Sequence, residues 1–329
     1  MEKSYVSSNT IFSFDENKFY KNGVSLTNDN NEPVDENGYK LAIKKEVSSF
    51  VHRAYSNIIV LIGAGASVLC INEDTDKRFG KTVRMLAGII NEKLKNDTSL
   101  FTLQELADMC KYPNSVEDEV NQGLNSRFNL EDFLSDLISY KKYVPDNEAG
   151  KYEASEHAIF GCIVENTSYD FDKNSLNHAT FINTISHLVK SPSKLTFVTT
   201  NYDTLIEDAA DEIGYTVMDG FTFSHRPYFD SDMFEWNMVK DIENIKTNEL
   251  EYKKNIINLL KLHGSLTWER DNRGIRRKEK NEVVKPIMIF PSADKYMQSY
   301  QEPYFELFTK FQHIPTLPRD FPDKDLLFS

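Results

Sequence analysis

The stretch Asn57-Ile58-Ile59-Val60-Leu61-Ile62-Gly63-Ala64-Gly65-Ala66-Ser67 decides the fold class. Its apolar part, NIIVLI, is too short for a stable helix, dense in β-branched side chains and closed by two glycines, so a strand is expected. Successive rather than alternate positions are apolar, as in a strand buried on both faces of a parallel sheet. Similar runs recur at Leu195–Thr199 (LTFVT), Ile256–Leu262 (IINLLKL) and Ile287–Phe290 (IMIF), each followed by small or polar residues. The expected class is α/β: a Rossmann-like, doubly wound, mostly parallel sheet assembled from distant pieces of chain.

More than 120 residues separate the first two runs, too many for a simple crossover. Apolar residues at helical spacing place helices around Val83–Leu94, Leu103–Cys110, Leu130–Tyr140, Tyr152–Glu165 and Asn177–Val189. Asn129 ahead of Glu131 and Asp132 reads as a capped helix start. A large helical insertion at about 83–190 beside the sheet is therefore expected. Upstream, residues 1–36 are rich in Asn, Asp, Ser and Glu, culminating in TNDNNEPVDENG. They read as a polar N-terminal arm that turns rather than packs. A helix over about Lys40–Tyr55 then leads into the first strand, so that residues 37–329 form the main domain.

Composition narrows the function classes. With 329 residues and 40% hydrophobic, the chain can bury one large core or two modest ones. Lys and Arg number 38 against 51 Asp and Glu, a net charge of −13 that repels phosphate backbones and anionic lipid. No direct nucleic-acid partner is expected unless another subunit supplies basic charge. The three cysteines, Cys70, Cys110 and Cys162, are too few for a four-thiolate zinc module or a disulfide framework. The N-terminus lacks the basic start and apolar stretch of a signal peptide. No run reaches the roughly 18 apolar residues of a membrane span. A cytoplasmic protein without a membrane partner is expected.

Three strand ends carry polar or glycine-rich motifs. Gly63-Ala64-Gly65-Ala66-Ser67 lets the backbone turn sharply and lets a bulky anion such as a pyrophosphate approach a helix N-terminus. The same residues also suit an ordinary tight strand-to-helix turn. A dehydrogenase fingerprint would need its third glycine where Val68 stands. Thr199-Thr200-Asn201-Tyr202-Asp203 closes LTFVT at the edge where open α/β sheets bind ligands, although Asn201 or Asp203 could instead cap the following helix. Leu262-His263-Gly264-Ser265-Leu266 puts a histidine, with an unperturbed pKa of about 6.5, where it can act as a general base or serve structure alone. Three such sites at three strand ends are expected to converge on one cleft.

In this order, GAGAS after an apolar strand, TTNYD and LHGS, the chain resembles the sirtuin-like superfamily, whose counterparts read as a GAG-x-S loop, a T-x-N-x-D segment and a catalytic HG. Phe79-Gly80-Lys81-Thr82 makes it similar to the bacterial sirtuin-like proteins of antiphage defence rather than to the protein deacetylases. The resemblance implies that Gly63, Ala64, Gly65 and Ser67 contact the phosphates and ribose of NAD, with Thr200, Tyr202 and Gly264 beside them. It implies that Asn201 and Asp203 face the nicotinamide ribose and amide, and that His263 stands beside the ribose hydroxyls, these three being catalytic.

The departures matter as much. Deacetylases of the family hold zinc with two CxxC pairs, and no CxxC occurs here; water becomes the expected acceptor and no metal is expected. INEDTDKR stands where deacetylases carry Gly-Ile-Pro, and the family's Gly/Ser-rich loop near the adenosine has no counterpart in PYFELFTKFQHIPTLPRDFPDKDLLFS. The expected activity is NAD glycohydrolysis with NAD as substrate, depleting NAD in antiphage defence by abortive infection. Control is expected through a homo-oligomer or a partner such as a HerA-type ATPase. The alternative is a nucleotide-binding scaffold or regulatory subunit of an ATPase or nuclease defence complex with little turnover.

Other signals carry less. A phosphate-binding P-loop at Phe79–Thr82 would need a glycine where Thr75 stands, so Lys81 and Thr82 are expected to begin a helix near the glycine loop. ERDNRGIRRKEKNE (269–282) reads as a solvated loop between strands. Pro291–Tyr296 lines the cleft or forms a plain strand-to-helix loop. Tyr202, Phe221, Phe223, Trp236 and Trp268 are core or lid residues, and His225 with Arg226 could cover the site.

Overall fold

The computed structural model describes residues 2–6, 10–51, 57–68, 70–71, 74–75, 79–117, 123–189, 193–240, 251–289, 300–314 and 326–328. It contains two compact units, Met1–Tyr55 and Ser56–Ser329. Among the described residues no helix is long and apolar enough to cross a membrane.

The first unit corrects the expectation of an unpacked arm. Strands β1 (Glu2–Val6), β2 (Ile11–Asp15), β3 (Lys18–Lys21) and β4 (Val24–Ser25) pair antiparallel in sequence order, followed by helix α1 (Glu36–Val51). The polar residues concentrate in the turns. Asn22 and Gly23 both take positive φ, 52° and 79°, the two-residue Asn-Gly turn that matches the twist of a hairpin. Phe12, Phe19 and Tyr39 are buried together, the last two rings stacked with centroids 4.5 Å apart.

In the second unit, β5 (Ile59–Ile62) is followed by a single 3-10 turn at Ala64–Ser67 and by the short pair β6 (Cys70–Ile71) and β7 (Asp74–Thr75). The helices α2 (Val83–Lys95), α3 (Leu103–Cys110), α4 (Leu130–Tyr140), α5 (Asp146–Thr167) and α6 (His178–Ser186) come next. Leu86, Ile90 and Leu94 of α2, Phe133 and Leu137 of α4, and Ile159 and Ile163 of α5 share one core, each set at the three-to-four-residue spacing that lines one helix face. The Asn129 side chain accepts from Glu131 N and caps α4, as its sequence suggests.

The chain then alternates β8 (Leu195–Thr199), α7 (Leu205–Glu212), β9 (Thr216–Met218), the pair β10 (Val239–Lys240) and β11 (Glu251–Tyr252), and β12 (Ile256–Lys261). Next come β13 (Gly264–Asp271), β14 (Gly274–Arg277), β15 (Pro286–Met288), α8 (Tyr304–His313) and β16 (Leu326–Phe328). A parallel sheet runs in the order β16, β5, β8, β12, β9. Every residue of β8, in its middle, is buried, which accounts for the unbroken apolar run.

Two expectations change here. IMIF does not join the parallel sheet: Ile287 and Met288 lie in β15, which pairs antiparallel with β13, while β9 and β16 fill the sheet instead. The charged stretch 269–282 is largely a hairpin, β13 against β14, with Trp268 opposite Arg277 and Arg270 opposite Ile275. Trp268 and Ile275 are buried on the face they share with Arg270 and Arg277, while Glu269 and Arg276 take the other. Phe290 and Pro291–Tyr296 lie outside the described residues.

Candidate functional site

Parallel pairing aligns three strand ends. Ile62 of β5 is level with Thr199 of β8, and Thr199 with Lys261 of β12, so GAGAS, TTNYD and LHGS leave the sheet side by side at its carboxyl edge. A cavity of about 200 Å³ opens there, with Ala64, Ser67, Thr200, Asn201, Tyr202, Asp203 and His263 in its wall.

Buried hydrogen bonds tie the first motif to the second. Ser67, 2% exposed, donates through Oγ to Asp203 Oδ2 at 2.9 Å. Asn201 Nδ2 donates to Gly63 O at 3.1 Å and to Ser67 Oγ at 3.2 Å. Both amide hydrogens of Asn201 are thereby used, and Oδ1 is its remaining acceptor. Asp203 Oδ1 accepts from Leu205 N at 3.2 Å, so Asp203 rather than Asn201 meets the start of α7, although the N-cap position itself is held by Thr204 without a side-chain cap. Asp203 serves the start of α7 and the glycine loop at once, with both carboxylate oxygens engaged.

Lys261, which the sequence hides inside an apolar strand, braces the second motif from below. It is 1% exposed, and its Nζ donates to the Asp203 carbonyl, to Tyr202 O and to Glu207 Oε1, the last at 2.7 Å. Burial pushes the Glu207 carboxyl upward in pKa, and the Lys261 ammonium opposes that shift. Tyr202 donates its hydroxyl to Ile289 O, and burial raises that phenol. The third motif is fixed by β-pairing, with Ile289 N donating to His263 O at 2.8 Å.

The glycines differ in kind. Gly63 is extended at φ −113°, ψ −172°. Gly65 also lies outside the positive-φ region, and a Cβ on either would meet nothing within 4 Å. Among the described residues, packing demands glycine at neither position, and the space above them is open. Gly264 has φ +84°, and a Cβ there would lie 2.1 Å from Ile287 O; the backbone it admits is that of β15. Gly80, at φ +59°, presses on the glycine loop, where a Cβ would stand 2.6 Å from Ser67 O. The expected α-helix directly after GAGAS is absent, because the chain makes only one 3-10 turn before β6. The nearest α-helix N-terminus in sequence is that of α2, capped by Thr82 through Met85 N, in line with the reading of Lys81 and Thr82.

The sequence did not point to the far wall of the cavity. Glu131 opens α4, Thr167 ends α5, and Tyr169 follows it. The Tyr169 hydroxyl accepts from Lys81 N at 3.1 Å, and burial raises its pKa. Only Glu131 left a sequence trace, as an acid in a capped first turn. His225 and Arg226 line a different cavity from the motifs. Of the candidate lid or core aromatics, Phe221 and Trp268 are buried, whereas Phe223 and Trp236 are exposed.

Residues 195–319 match the SIR2-like domain family. The match takes in TTNYD and LHGS and begins after GAGAS. Comparison with curated proteins finds no match. Among the described residues no group of three or more His, Cys, Asp or Glu could hold a metal ion.

Proposed function

We propose that the chain is an NAD glycohydrolase, splitting NAD with water into nicotinamide, ADP-ribose and a proton. The observation that carries this proposal is the convergence of Ser67, Asn201, Asp203 and His263 on one cavity beneath an open glycine loop. Similarity to the SIR2-like domain over residues 195–319 supports NAD as the ligand, and a Rossmann-like, doubly wound arrangement of the α/β unit fits that similarity.

Gly63, Ala64, Gly65 and Ser67 would receive the phosphates and ribose, where open space over two glycines admits a bulky anion. Thr200 and Tyr202 would wall the nicotinamide end, while Gly264 shapes the turn that carries His263. Cleavage develops positive charge on the ribose, and the buried Asp203 carboxylate stabilises that charge through space, its oxygens being held by Ser67 and Leu205. Asn201 Oδ1 is left to accept from a water or a ribose hydroxyl. His263 takes the proton that the attacking water or hydroxyl gives up.

The proposal extends to the setting. Unrestrained NAD loss kills the host cell, so the activity belongs under the control of a homo-oligomer or of a partner such as a HerA-type ATPase, in a cytoplasmic role in antiphage defence. In division of labour, we assign the unit Ser56–Ser329, with the helical insertion at about 83–190, to NAD binding.

Chromatography of NAD incubated with the full chain tests the activity. Nicotinamide and ADP-ribose should appear in equal amounts, and His263→Ala and Asn201→Ala should each lose about a hundredfold or more in turnover while remaining folded. Saturable NAD binding without product would replace the glycohydrolase by a nucleotide-binding scaffold.

A further inference from the structure

A basic cavity of about 430 Å³ opens between the segment His225–Pro227 and the hairpin of β13 and β14, sharing no wall residue with the motif cavity. Arg226, Arg273, Arg276, Arg277 and Lys278 line it, against the carboxylates of Asp271 and Glu282. In a chain of net charge −13, a local excess of this sign is the reverse of the bulk field and suits an anionic occupant.

Three of these cations already have partners. Arg277 pairs with buried Asp219 at 2.6 Å, Arg276 with Asp271 at 3.5 Å, and Lys278 with Glu269. Arg226 and Arg273 are exposed and make no ion pair among the described residues, which leaves two guanidinium forks for a ligand.

The frame that presents them is built. Arg277 N donates to Pro227 O at 3.3 Å and Phe229 N to Ile275 O at 3.0 Å. Arg276 Nη1 donates to Arg226 O at 2.9 Å. The segment thus runs beside β14 like a further strand, over a core of Phe221, Phe229, Trp268 and Ile275. Aromatic surface stands next to the charge: Tyr228 is 44% exposed with the Arg276 guanidinium 5.5 Å from its ring centre.

We propose that this cavity is a second ligand site, for a nucleotide whose phosphates meet Arg226 and Arg273 and whose base stacks on Tyr228 at its edge. Cationic forks beside exposed rings are the combination that holds phosphate and base together. The nucleotide is free in solution or is one unit of a short single strand. The site stands independently of the NAD glycohydrolase proposal.

Fluorescence anisotropy on the full chain tests the site, with N-methylanthraniloyl-ATP and a fluorescein-labelled decathymidylate as probes. At least one probe should bind, with affinity falling as salt rises. The double variant Arg226→Ala/Arg273→Ala should weaken that binding by about tenfold or more at an unchanged unfolding midpoint, while Asn201→Ala leaves it intact. Binding of the first probe marks free nucleotide as the source, and binding of the second alone marks a strand. Four results would overturn the site: neither probe bound, full affinity in the double variant, loss in Asn201→Ala, or equal affinity for inorganic triphosphate.

Discussion

Gly63 and Gly264 each leave a strand of the parallel sheet at its carboxyl edge. A Cβ on Gly63 would meet nothing within 4 Å, whereas one on Gly264 would lie 2.1 Å from Ile287 O. The loop after β5 stays open although nothing in its own backbone requires glycine. The turn after β12 is closed, and there glycine serves the chain itself. Around β8 and β12 the polar groups are similarly committed: Lys261 holds the Asp203 and Tyr202 carbonyls, and Tyr202 holds Ile289. One side of the site is scaffold, and the other is open space.

The contrast breaks most readily on its closed side. Lys261→Met leaves the part-buried Glu207 carboxylate without its cation and the Asp203 and Tyr202 carbonyls without their donor, and about 3–5 kcal/mol of stability should be lost in urea unfolding. Adding Glu207→Leu should recover much of that loss; a Lys261→Met protein of unchanged stability would mean that the ammonium braces nothing. Gly264→Ala forces a side chain into a left-handed backbone against a carbonyl, a cost of about 2–4 kcal/mol. If it unfolds at the wild-type denaturant concentration, the two glycines are alike after all.

Ser67→Ala sharpens the boundary between the two sides. It removes the donor to buried Asp203, so about 1–3 kcal/mol should go, together with NAD turnover. Stability lost with turnover intact would make Ser67 purely structural.

The smallest effect concerns pH on the open side, where Gly65 and His178 line a neighbouring cavity of about 350 Å³. Burial holds the His178 pKa below its usual value, with Asp203 opposing. The folded state therefore favours the neutral ring; its stabilising share is full above about pH 6.5 and is lost as pH falls toward the lowered value. Denaturation midpoints at pH 7.5 and 5.5 should differ less in His178→Gln than in the wild type. An equal or larger difference would remove His178 from the pH response.

How much of this was legible follows from range. The three motifs could be read because each is local: an apolar run, then the residues at its end. Helices α3 and α4 followed from spacing, and α4 from its Asn129 cap as well. IMIF was misassigned because an apolar run records burial but not its partner, and its partner β13 is chosen by the reversal at Gly264. The first unit was missed because its polar composition masks the hairpin signal Asn22-Gly23. Lys261 passed unnoticed inside IINLLKL, since its counterion Glu207 lies 54 residues away. Tyr169 reaches the cavity only through the folding of the helical insertion, which no short pattern encodes.

The open space over the glycine loop admits a direct test. Gly63→Val suits the extended backbone at φ −113°, ψ −172°, so its unfolding free energy should stay within about 1 kcal/mol of wild type. Calorimetric titration of NAD should then show binding to the wild-type chain and none to this variant. Equal NAD affinity in the two proteins would contradict a ligand seat above the glycine loop.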